Sequence, residues 1–157
     1  LFAGAYLTVD ATRNAVNNFV LEAFDGYAQM ETEAREKSGP TIPADWDGPF
    51  AVMWVPDKFE NVESIKMTGT WHLFYTGDHS AQSMSISVWD SGHSPRINTD
   101  NLDFVSSEDI QGGTANVFFD TPNSLYMLLW THNNYNIQIR GNISAEEAKK
   151  VAENFEF

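Results

Sequence analysis

LYMLLWTHNNYNIQIRG, from Leu125 to Gly141, followed by NISAEEAKKVAENFEF, from Asn142 to Phe157, is the stretch that decides the fold. In its first part Leu125, Met127 and Leu129 alternate with Tyr126, Leu128 and Trp130. Both faces of that strand are therefore apolar, which marks a central position in a sheet. Tyr135, Ile137 and Ile139 then alternate with Asn136, Gln138 and Arg140, the pattern of a strand with one buried and one wetter face. Asn133 and Asn134 lie between the two runs, and asparagine tolerates the positive φ that a primed turn or a short bulged loop demands. After Gly141, Ser144 and Glu147 have the spacing of a capping box, in which hydroxyl and carboxylate satisfy the first amides of a helix. Ala148, Val151, Ala152 and Phe155 fall on one side of that helix and would face the sheet.

Upstream, Ala15, Val16, Phe19, Val20, Ala23, Phe24, Tyr27 and Met30 recur at steps of three and four, which predicts a long helix. The breaker pair Gly39 and Pro40 ends it, and the proline-spaced loop Gly39 to Pro49 reads as an extended connector. A short apolar run, Phe50 to Pro56, is a candidate first strand. Alternating segments follow at Ile65 to Thr76, Met84 to Asp90 and Thr114 to Asp120. With the terminal hairpin these predict an α+β fold, a meander of about five to six antiparallel strands with the long N-terminal helix and the C-terminal helix packed on one face. The organisation expected is an apolar stub at 1–9, a linker helix at 10–39 and an α+β domain at 40–157.

The terminal stretch also carries a resemblance. Trp130 on a strand, Asn134 before Tyr135, alternation through Ile137, Ile139 and Gly141, then Ile143, Ser144, Glu146, Glu147 and the Val151, Ala152, Glu153 run resemble the C-terminal extracytoplasmic domain of uncharacterised Gram-positive membrane proteins, a domain family of unknown function. Some of those proteins resemble anti-sigma factors. WVPDKFENVE, Trp54 to Glu63, and IQGGTANVF, Ile110 to Phe118, are similar to further parts of that family, so the resemblance spans Trp46 to Phe157. It implies a location outside the cytoplasm and a regulatory role, and it implies no chemistry.

Composition fits one domain: 157 residues, 42% hydrophobic and 13% aromatic, enough to bury a sizeable core. The absence of cysteine excludes a disulfide framework, thiol catalysis and cysteine-ligated zinc. A formal charge of −13 argues against nucleic acid and anionic lipid surfaces, which need clustered Lys and Arg. It equally disfavours a sigma factor held directly by this domain. The opening LFAGAYLTV is an apolar run of nine residues, too short to span a bilayer, which takes about 20. It reads either as the outer end of a membrane or signal helix or as an ordinary element packed on the domain. The family resemblance favours the first, with the membrane reached through a missing N-terminal helix.

Catalytic patterns are weak. His72, His79, His93 and His132 have no metal-pair spacing. The serines from Ser80 to Ser87 lack a nucleophile elbow. NTDNLD, Asn98 to Asp103, fails as an EF-hand because the sixth and twelfth positions hold Asp103 and Asp109 rather than Gly and Glu. The residues singled out for ligand or partner contact are Trp46, which stands between Asp45 and Asp47 in the proline loop, and the strand and turn histidines His72 and His132. The expectation is a non-enzymatic extracytoplasmic sensor or interaction domain of a membrane-anchored bacterial regulator, with no cofactor and no metal, engaging a protein or cell-wall ligand. The alternative is a secreted carbohydrate- or peptide-binding module that uses exposed tryptophans.

Overall fold

The structure, a computed structural model, describes residues 37–157. Its elements in chain order are β1 (Ala51–Val52), β2 (Phe59–Met67), β3 (Thr70–Gly77), β4 (Ser83–Asp90), β5 (Asp103–Ile110), β6 (Gly113–Asp120), β7 (Leu125–His132), β8 (Tyr135–Gly141), α1 (Ala145–Glu153) and β9 (Phe155–Glu156). Strands β2 to β8 make one seven-stranded antiparallel sheet in the order β2-β3-β4-β8-β7-β6-β5, and β1 pairs with β9 in a separate two-stranded ribbon.

The α+β class and the simple meander are corrected. With 50% strand and 7% helix, the described part is mainly β. The sheet is two hairpin series, β2 to β4 and β5 to β8, joined along β4 and β8. The segment 91–102 carries the chain from the middle of the sheet to its far edge. The expected stub at 1–9 and most of the expected linker helix at 10–39 lie outside the described residues, and 37–39 are not helical. One helix cannot cover this sheet: nine residues of α1 span about 14 Å, whereas seven strands spaced about 4.8 Å apart extend about 30 Å. The rest of the covered face lies under the segment 38–58 and the β1-β9 ribbon, whose Phe50, Val52, Val55 and Phe155 join the core.

The terminal hairpin forms as its sequence predicts. Asn133 and Asn134 have φ of 49° and 65°, and His132 pairs directly with Tyr135 across this two-residue turn. β7 lies between β6 and β8, in keeping with its two apolar faces. At the start of α1, Ser144 Oγ accepts the Glu147 amide at 3.0 Å. The Glu147 carboxylate lies 3.1 Å from Lys58 Nζ, so the capping box is used on its serine side and the carboxylate ties the helix to the segment before β2. Ala148, Val151 and Ala152 are buried against the sheet. Leu73 and Tyr75 of β3, Ile86 and Val88 of β4, Leu128 and Trp130 of β7, and Ile137 and Ile139 of β8 complete the core from the sheet side.

Candidate functional site

Successive side chains on a strand point to opposite faces, so the residues between the core positions define a second face of the sheet. The register assigns its rows. One runs Ile65, His72, Ser87, Gln138, Leu129, and the next runs Glu63, Phe74, Ser85, Arg140, Met127. α1 and the β1-β9 ribbon pack on the core side, and among the described residues this second face is left open. The segment 91–102 touches one end of it, where the Asn136 side-chain amide donates to Ser94 Oγ.

The open face has exposed apolar side chains at its rims and a mixed middle, where Ser85, Ser87, Gln138 and Arg140 stand among Phe74, Trp89 and Leu129. Ile65 and Met67 on edge strand β2 are 51% and 56% exposed, and Phe104 on the opposite edge strand β5 is 61% exposed. Between them, Phe74 is 39% exposed and its ring lies nearly parallel to His72, with centroids 6.0 Å apart at 21°. His72 meets the Trp89 ring edge-on at 6.0 Å, and its Nδ1 is 2.8 Å from Ser87 Oγ. Partial burial pulls the His72 imidazole below its ordinary pKa, so the neutral ring is the form present at neutral pH.

Arg140 is the one Lys or Arg that the rows of this face carry, because Lys66 of β2 lies opposite Trp71 on the other side and bonds Asp47 at 2.8 Å. Arg140 Nη2 donates to Asp120 Oδ2 at 2.8 Å. Asp120 also accepts from the Asn123 side chain at 2.9 Å. The Asn123 amide first, and Arg140 second, hold the Asp120 carboxyl below the usual range. Arg140 Nε is buried without an acceptor. Phe74, Thr76, Ser83, Ser85, Leu125 and Arg140 line a shallow cleft at this end of the face.

The residues singled out from sequence do not come together. Trp46 packs against the core from the proline loop; its Nε1 donates to the Phe50 carbonyl at 2.7 Å, and its ring meets Phe50 edge-on at 5.0 Å. A side chain at Gly48 would collide with that ring, so the loop is shaped to fold the indole down. His132 sits on the core side of β7, stacked on Trp130 at 5.1 Å and 17° and close to Phe157. His72 faces the other way. Of the three, His72 alone belongs to the open face. Phe74, Trp89 and Arg140 complete that site: Arg140 is on the wetter face its alternation indicates, Trp89 in its apolar strand reads as buried, and Phe74 is not marked because WHLFY from Trp71 to Tyr75 is largely apolar in both phases. The acidic run at Asn98 is turn chemistry: Asn98 Oδ1 accepts the Asp100 amide at 2.8 Å. Among the described residues, no group of three or more His, Asp or Glu is arranged to hold a metal ion.

A family model described as a domain of unknown function (DUF4367) matches residues 49–155, from just before β1 to the first residue of β9. No curated protein matches the chain.

Proposed function

The chain belongs to the DUF4367 family of domains of unknown function, and from that premise we infer that it is the non-catalytic extracytoplasmic sensing or interaction domain of a membrane-anchored bacterial regulator of the anti-sigma-factor kind, making its contacts through the open sheet face. The observation that carries this reading is the exposure of Ile65, Met67 and Phe74, neighbours on β2 and β3, with Phe104 exposed on the opposite edge of the same face, since exposed apolar side chains gathered on one face mark contact surfaces. The absence of recognisable catalytic motifs in the sequence and the resemblance of the terminal hairpin and helix to extracytoplasmic domains support the role and the location. The anchor belongs outside residues 37–157, among which no helix is long and apolar enough to cross a membrane. The secreted-module alternative draws on the same face through Trp89, not through Trp46.

The test uses the whole anchored protein in its own cells. Ile65→Asp and Phe104→Asp should reproduce, at unchanged protein abundance, the transcript changes caused by deleting the gene, whereas Glu146→Ala on the exposed side of α1 should leave transcripts as in the wild type. Face variants with wild-type transcripts would overturn the reading. So would turnover of a peptidoglycan or ester substrate that is lost on changing His72 or His132.

A further inference from the structure

The middle of the open face is a lane with two unlike sides. Phe74, His72 and Trp89 form a continuous aromatic line, each ring 6.0 Å from the next. Beside it, at adjacent register positions on β4 and β8, stand Ser85, Ser87, Arg140 and Gln138, a row of hydroxyl, guanidinium and amide groups. Residues two apart on a strand repeat about every 6.6 Å, so Phe74 stands level with Ser85 and Arg140 and His72 with Ser87 and Gln138, while Trp89 stands level with Thr70 and Asn136. Phe74 and His72 lie within 21° of parallel, and Trp89 stands at 86° to His72 at the end of the line. Next to planar hydrogen-bonding side chains, this arrangement suits a pyranose chain resting on the first two rings and ending against the third, with its hydroxyls reaching sideways. An apolar protein segment is a poorer match, because the apolar groups at Ile65 and Phe104 lie on opposite edges of the sheet with this polar row between them.

Charge selects among glycans. The chain carries −13, and the lane's single cation, Arg140, is already matched by Asp120 at 2.8 Å. Among the described residues, the register places no unmatched cation in the lane for an anionic polymer. Arg140 Nε still lacks an acceptor, and a small uncharged carbonyl brought beside it would supply one while Nη2 stays on Asp120. We propose that the lane over Phe74, His72 and Trp89 binds a linear neutral glycan bearing acetamido groups. The assignment rests on the open face being the contact surface and names what that face takes.

The full chain is titrated with the β-1,4-linked tetramer of N-acetylglucosamine and followed by 1H–15N NMR. Saturable shifts are expected at Phe74, His72 and the Trp89 indole N–H. Phe74→Ala and Trp89→Phe should each weaken binding by about tenfold or more, the loss of one good contact. Glu146→Ala, on the exposed side of α1 and off the open face, should leave affinity unchanged, and spectra of the variants without sugar should show the wild-type fold. Absence of shifts with millimolar tetramer overturns the assignment, as does binding indifferent to both lane substitutions or a preference for the polyanion heparin. If the sugar fails while Ile65→Asp and Phe104→Asp still alter transcripts, the glycan is wrong and the contact face stands; if both fail, both readings fall.

Discussion

Trp130 and Asp120 show how far single residues can be read. Trp130 is 2% exposed and lies against Phe155 and His132. Its truncation to alanine is expected to cost about 3–5 kcal/mol, measured as a shift in the urea midpoint at unchanged slope. Its Nε1 is buried without an acceptor, so Trp130→Phe, which removes that donor and keeps an aromatic ring, should cost less than the alanine change. A neutral Trp130→Ala would contradict the packing described. At Asp120 the sign comes from its partners. Asn123 and Arg140 lower the folded-state carboxyl value, so the unfolded chain holds more protons in acid. The stabilisation is complete above the ordinary carboxyl value of about 3.9 and is lost as pH falls from there through the lowered folded value. Asp120→Asn should therefore flatten the fall in stability below about pH 4, and the two curves should converge in stronger acid; parallel curves would refute the assignment. Glu60 works the opposite way, because hydrogen bonding with Asp78 raises it, and only the difference between variant and wild type isolates Asp120.

The elements were legible in proportion to how buried they are. β7 and β8 lie inside the sheet with a two-asparagine turn, and their alternation gave strand, turn and pairing together. The sheet's two edges were missed. β2 reads FENVESIKM and β5 reads DFVSSEDI, acidic runs with little apolar alternation, and such composition is how edge strands discourage pairing with other chains. Ile65 to Thr76 looked like one segment, yet it is the end of β2, the turn at Thr68 and Gly69, and β3. Gly69 has φ +66°, which a β-carbon would strain. The helix was legible at its start and not at its end. Ser144→Ala should cost about 1 kcal/mol by removing the cap. Nothing in the sequence pointed to Gln111, whose side-chain amide, from the β5-β6 turn, donates to the carbonyls of Ala152, Glu153 and Phe155 at 3.3, 3.2 and 3.0 Å. Gln111→Ala should cost about 1–3 kcal/mol, since it leaves carbonyls of the last helical turn short of a donor. Hydrogen exchange separates the two: faster exchange at Val151 to Phe155 is expected from Gln111→Ala, and at Glu146 to Ala148 from Ser144→Ala.

For the whole molecule, the decisive quantity is where the core residues lie. The core cluster runs from Phe50 to Phe155 and is closed by Tyr75, whose hydroxyl donates to the Thr41 carbonyl at 2.5 Å. Ser38–Phe157 is a compact unit by itself. Covering only one side of a seven-stranded sheet needs little helix, because the proline loop and the short ribbon bury Phe50, Val52 and Val55 where a second helix would otherwise be required. That economy explains why a reading based on apolar periodicity, which gives weight to helices and says nothing about irregular cover, arrived at an α+β layer. It could not reveal the open face either, since which phase of Trp71 to Tyr75 turns outward depends on strands far away in sequence. A fragment of residues 38–157 should therefore fold alone, with dispersed methyl and indole signals and one cooperative urea transition. Its slope should be that of a domain of about 120 residues, since the slope follows the surface exposed on unfolding. Collapse of the fragment into a species without fixed side-chain signals would mean that residues before Ser38 supply part of the core.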